Sequence, residues 1–202
     1  MTGRLGRDGS SEWAPLRLGP DVVQRLLPHR RPFLFVDAVD AIALGPRPSL
    51  RARRMISVNE AVFEGHFPGL ALWPGVYTIE GMGQASNLLL VVLGLIDGFA
   101  EQGTSDREVF EALRGIDARA RFGTRAETAT ERALIDGLGT PRMRMGFAGA
   151  VDVKLIEPVF AGSVLEYRVT LGHVLANARR FEVEAWVDDR PVARGTLGSA
   201  AP

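Results

Sequence analysis

The chain has 202 residues, 46% of them hydrophobic and 24% charged, and its 24 Lys+Arg balance 24 Asp+Glu. That composition suits one globular domain with added parts and argues against a general nucleic-acid binder, which is usually clearly basic. The absence of cysteine excludes disulfides, a thiol nucleophile and Cys-ligated metal sites, and His29, His66 and His173 stand at no metal-ligand spacing, so no metal site is expected.

Residues 1–19 are rich in Gly, Ser and Arg and lack the apolar run of a secretory signal. They are expected to form a flexible leader, and the protein is expected in the cytoplasm. Gly19-Pro20-Asp21 opens a short helix over 22–27. Pro28 and Pro32 then bracket Leu27-Pro28-His29-Arg30-Arg31-Pro32 and exclude regular structure there. Residues 33–44 and 50–58 are apolar enough for strands, and the loop 59–75 is shaped by Gly65, Pro68, Gly69, Pro74 and Gly75.

After Pro74 the pattern changes. Residues 76–96 contain no proline and no alternation, which predicts a helix apolar nearly all round and therefore enclosed in a core. Its apolar stretch between Glu80 and Asp97 has sixteen residues interrupted by Gln84, Ser86 and Asn87. A bilayer needs about 20 apolar residues, so no membrane span is expected. Glu80, Gln84 and Asn87 stand at i, i+4, i+7 and form one polar stripe.

Residues 97–145 are charged and poor in strand signal. Ser105-Asp106-Arg107-Glu108 and Thr124-Arg125-Ala126-Glu127 both fit a capping box and predict helices near 105–114 and 125–137. This segment reads as a helical insertion rather than a domain. From Phe147 alternation takes over, as in Leu165, Tyr167, Val169 and Leu171, and Asp188-Asp189-Arg190 marks a turn. The sum is an α+β domain over 20–200: five or six antiparallel strands curled around one long helix, with 97–145 inserted.

The chemistry concentrates in Glu64-Gly65-His66-Phe67-Pro68-Gly69 and in Pro74-Gly75-Val76 through Glu80, Gly81, Met82, Gly83, Gln84 and Ala85. A loop of glycine and proline can hold the His66 imidazole in place. The first amides of a helix opening at Pro74-Gly75 have no intrahelical acceptor and suit a carbonyl oxygen or enolate. Burial of Glu80 on the helix is expected to favour its protonated form. A base near neutrality, a neutral acid and an oxyanion site are what β-elimination beside a carbonyl requires.

These residues resemble the β-hydroxyacyl-ACP dehydratases of the FabZ type. Leu27-Pro28-His29-Arg30 with Pro32-Phe33-Leu34 and Val36-Asp37 is similar to that family's opening motif. Ser57-Val58-Asn59-Glu60 with Gly65-His66-Phe67-Pro68-Gly69 resembles its active-site loop. Pro74-Gly75-Val76, Glu80 and Gln84-Ala85 resemble the start of its central helix, and Pro158-Val159 with Gly162-Ser163 the turn before a late strand. The resemblance spans roughly 20–96 and 147–200.

It implies a hot-dog fold, and a homodimer or a trimer of such dimers, with His66 of one chain facing Glu80 of the other. It implies dehydration of (3R)-3-hydroxyacyl-ACP to trans-2-enoyl-ACP, with acyl carrier protein as substrate carrier and no cofactor. In that reading His66 is the base and Glu80 the acid. The Gly75 amide polarises the thioester carbonyl, Gln84 orients Glu80, and Phe67 and Val76 contact substrate. A hydratase or thioesterase acting on acyl-CoA, and a non-catalytic hot-dog scaffold, stay open beside it.

Two departures stand out. Gly81 and Gly83 replace the family's usual alanines, leaving room for another backbone to approach, and 97–145 stands where the family has a short connection. Arg51, Arg53 and Arg54 fit either an acidic carrier protein or a solvated strand edge.

Overall fold

The computed structural model describes residues 12–123, 126–138, 147–175 and 178–200. One antiparallel sheet of seven strands, in the order β1-β2-β3-β5-β6-β7-β4, wraps a central helix. The strands are β1 (Ala14–Leu18), β2 (Ala38–Ala43), β3 (Ser49–Met55), β4 (Phe147–Leu155), β5 (Val164–Leu175), β6 (Ala178–Val187) and β7 (Arg190–Ala200). The helices are α1 (Pro20–Leu26), α2 (Gly75–Ala100), α3 (Asp106–Phe122) and α4 (Ala129–Gly137). This is the expected hot-dog arrangement, with seven strands where the alternation predicts five or six.

α2 starts where Pro74, with φ −61° and extended ψ, serves as N-cap, and it runs 26 residues without proline. By length and composition it could cross a membrane. It is instead the core helix: Met82, Ala85, Leu88, Leu89 and Val92 are fully buried in the same cluster as Leu50, Leu165, Val169, Phe181 and Val183 of the sheet. Inward-facing residues alternate along β5 as expected, with Leu165, Tyr167 and Val169 all buried.

Several boundaries differ from the sequence expectation: β2 begins at Ala38 rather than at residue 33, α2 runs on to Ala100, and α4 begins at Ala129. The segment read as leader contains β1, which pairs with β2 through a bulge between Pro15 and Leu18 where Arg17 takes φ 54°. Leu16 and Leu18 of that strand are buried, so the domain begins earlier than residue 20. Helix α3 runs through Gly115 to Phe122 and stops at Gly123, whose φ of 61° is the left-handed cap conformation. Its Ser105/Glu108 capping box forms as expected. The second helix is capped by Thr128, whose side chain accepts from the Glu131 amide; Thr124 and Arg125 lie outside the described residues.

Helices α3 and α4 pack into the domain's own core. Val109, Phe110, Leu113 and Ile116 are buried with Val22, Val23 and Leu26 of α1 and Ile96 of α2. The Gly19 amide donates to Asp117 Oδ1 at 2.8 Å, tying the start of α1 to α3. The room at Gly81 is filled by a side chain, Tyr167, rather than by another backbone, and Gly83 faces open space.

Candidate active site

The His66 loop is built by backbone bonds. A 3₁₀ turn over Ala61–Glu64 leads into it, and the His66 amide donates to Val62 O at 2.9 Å. Phe67 and Leu70 exchange two backbone hydrogen bonds of 2.8 Å around Pro68-Gly69, with Gly69 at φ 80°. Trp73 N to Val159 O and Ala161 N to Ala71 O, at 2.8 and 3.0 Å, fasten the loop to the segment before β5.

This frame decides the imidazole's chemistry. His66 Nδ1 lies 2.8 Å from Leu72 O, and a carbonyl can only accept. Nδ1 therefore carries the hydrogen, and in the neutral ring Nε2 is left with its lone pair. Phe67 stacks on the ring with centroids 4.3 Å apart.

His66 and Gly75 line one cavity of about 280 Å³, together with Trp73, Thr78, Leu155 and Val159. Gly75 is the first residue of α2, so its amide is among those that the helix leaves without an acceptor. A β-carbon built on Gly75 would stand 2.3 Å from Leu155 Cδ1, so the glycine keeps that helix end open against β4. Phe67 and Val76, next in sequence to His66 and Gly75, are 49% and 66% exposed and are not among the residues lining this cavity.

Glu80 lines a second cavity, of about 110 Å³, with His29, Gly83, Gln84, Asn87 and Phe181 among its walls. Gln84 holds it: Nε2 donates to Glu80 Oε1 at 3.0 Å and to Phe33 O at 2.9 Å, while Oε1 accepts from the Phe35 amide at 2.8 Å. The Phe33–Phe35 segment is thereby locked to α2. Glu80 itself is not enclosed within the chain; its side chain keeps 33% of its exposure.

Sequence reasoning passed over His29 as a residue held between prolines. Its Nε2 lies 3.7 Å from Glu80 Oε1. Burial lowers the His29 pKa below its ordinary value, outweighing the Glu80 carboxylate, which raises it; Arg30 lowers it further. The spacing of 51 residues to Glu80 hid this contact, and the matching Leu-Pro-His-Arg motif was its one visible sign.

The remaining motif residues hold the frame. Arg54 donates to Asp37 Oδ1 at 2.7 Å and pairs with Glu60, while Asp37 Oδ2 accepts from the Met55 amide at 2.7 Å. Its side chain is only 12% exposed, so Arg54 cannot be part of a free basic surface. Arg53 pairs with Asp40, and Arg51 lies over the Trp13 ring. Among the described residues no cluster of His, Asp and Glu is arranged to hold a metal ion.

The FabA-like domain family is matched over residues 27–119. The chain is 40% identical over 175 residues to 3-hydroxyacyl-[acyl-carrier-protein] dehydratase FabZ of Wolinella succinogenes, covering 87% of this chain and 89% of that one. It is 43% identical over 180 residues to the FabZ enzyme of Chlamydia trachomatis serovar L2, covering 89% and 90%. Among solved structures it is similar in fold to the dehydratase heterocomplex ApeI:P of Xenorhabdus doucetiae, with TM-score 0.53, 18% identity and coverage of 89% and 90%. With this extent of identity across both chains, the chain belongs to the 3-hydroxyacyl-acyl-carrier-protein dehydratase family of the FabZ type.

Proposed function

We propose that the protein removes water from (3R)-3-hydroxyacyl-ACP to form trans-2-enoyl-ACP, as a lyase of fatty-acid or related lipid or polyketide synthesis. The observation that carries the reading is the shared cavity of His66 and the Gly75 amide, with Nδ1 of His66 committed to Leu72 O. A thioester carbonyl placed at the Gly75 amide is polarised by the helix end, which stabilises the enolate forming at C2. His66 Nε2 takes the C2 proton. Glu80 gives its proton to the C3 hydroxyl, which leaves as water, and the C2–C3 double bond closes. No electron leaves the substrate, so the chemistry needs proton carriers and no redox cofactor. Gln84 orients Glu80, and Phe67 and Val76 meet the substrate at the mouth.

Within one chain His66 lines one cavity and Glu80 another. That separation, together with the exposed side of Glu80, favours an active site shared between two chains, His66 from one facing Glu80 from the other. A homodimer is the smallest assembly that completes it. The enzyme is read as cytoplasmic, with its substrate delivered on acyl carrier protein.

The test is to offer the purified protein trans-2-enoyl thioesters on acyl carrier protein and on CoA and follow the conjugated-thioester absorbance. Hydration to the 3-hydroxyacyl form, faster on the carrier protein, is expected, and His66→Ala should lower it by about 10²–10⁴-fold. Full activity of His66→Ala contradicts the reading. A preference for CoA moves the enzyme to hydratase work on free thioesters.

A further inference from the structure

Tyr167 is fully buried in the inward row of β5, yet among the described residues its hydroxyl has no hydrogen-bond partner. Its neighbours across the sheet are Ala52 on β3 and Ala185 on β6. Flanked by two small residues, the ring stands up from the sheet toward α2. It meets the helix at Gly81: a β-carbon built there would lie 2.1 Å from Oη and 2.3 Å from Cζ. Gly81 immediately follows Glu80. The charges acting on the phenol are Arg54, Asp37 and Glu80.

Two unfavourable features thus coincide at one contact. A glycine inside a helix and an unpaired buried hydroxyl are each destabilising. Alanine at 81 with an aliphatic residue at 167 would avoid both. Local rules broken together beside a functional group mark a functional constraint. Gly83, two residues on, faces open space, so packing against a neighbour accounts for the glycine at 81 and not for the one at 83.

We propose that Tyr167 is a positioning residue for Glu80: its phenol tip bears on α2 at Gly81 and sets the height and rotation of the turn that carries Glu80 and Gln84. The proposal rests on the reading of Glu80 as the acid. From below, Tyr167 props the turn. From the side, Gln84 ties it to Phe33 and Phe35. A displacement on the order of 1 Å at the reacting group can lower a rate about a hundredfold, so a prop under this turn bears on turnover.

The test compares Tyr167→Phe, Gly81→Ala, Tyr167→Leu and the Gly81→Ala/Tyr167→Leu double variant, with Glu80→Gln alongside, for kcat, KM and Tm with a trans-2-enoyl-ACP substrate. Gly81→Ala should lower kcat about tenfold or more with KM within about threefold of wild type, because its methyl group overlaps the phenol tip. The double variant, whose methyl fills space the ring vacates, should recover most of that loss. Tyr167→Phe should lower kcat while Tm holds or rises, since an unpaired buried hydroxyl is removed; a purely structural contact would move kcat and Tm together or neither. Should Gly81→Ala not fold, Tyr167→Phe alone decides. Wild-type kcat in Tyr167→Phe, or no recovery in the double variant, overturns the proposal when Glu80→Gln is inactive. An active Glu80→Gln instead overturns the assignment of Glu80 on which the proposal rests.

Discussion

Gln84 donates from Nε2 to Glu80 Oε1 at 3.0 Å and accepts at its own Oε1 from the Phe35 amide at 2.8 Å, so one amide joins the candidate acid to the segment beside it. Both functions sit one helical turn apart on α2. Gln84 is 1% exposed, which puts these bonds where an unpaired partner cannot turn to water.

Replacing Gln84 with Leu should therefore lower both stability and rate. The Phe35 amide and Phe33 carbonyl lose their partner, which costs about 1–3 kcal/mol in urea unfolding. Freed from its donor, Glu80 should act about 10–100-fold more slowly in the enoyl-thioester assay. Unchanged turnover in a destabilised Gln84→Leu protein would limit Gln84 to holding the fold.

His29 predicts a pH dependence of stability. Burial lowers its folded-state pKa below 6.5, so the unfolded chain binds the His29 proton at a pH where the folded chain does not. Folding then loses stability as pH falls from about 6.5 toward the lowered value and keeps it above. A His29→Gln variant, with nothing to protonate, should show a flatter Tm between about pH 7 and pH 5 than wild type. Parallel Tm curves would contradict this role of the buried imidazole.

Phe110 tests how far α3 is part of the core. It is 2% exposed and sits in the same cluster as Leu26 of α1 and Ile96 of α2. Phe110→Ala should destabilise the whole domain by about 3–5 kcal/mol in a single unfolding transition. A separate early transition with the rest of the domain unmoved would make α3 an independent appendage.

Much of this was readable in the chain. Proline at 74 and the unbroken apolar run after it marked α2, and the loop around His66 with Glu80 beyond it singled out the candidate site. Strand β1 was hidden because it is five residues long and carries Pro15, and its pairing bulges at Arg17. The helix expected near 105–114 runs on through a buried Gly115, and its stop is Gly123, where the backbone turns left-handed. Arg54 and Glu60 looked like surface charge and motif; they are one half-buried ion pair, legible only once β3 and the loop after it come together. The contacts His29–Glu80 and Tyr167–Gly81 join distant parts of the chain, and no local pattern announces either.

The central claim is that His66 of one chain works with Glu80 of another. Two inactive variants, His66→Ala and Glu80→Gln, co-expressed with different tags, test it directly. In a mixed dimer one site carries both defects and the other carries neither, so a statistical mixture should regain about a quarter of wild-type activity, and purified mixed dimers about half. If the mixture and the purified mixed dimers stay as inactive as either variant alone, His66 and Glu80 act within one chain or not as a pair, and the shared site is wrong.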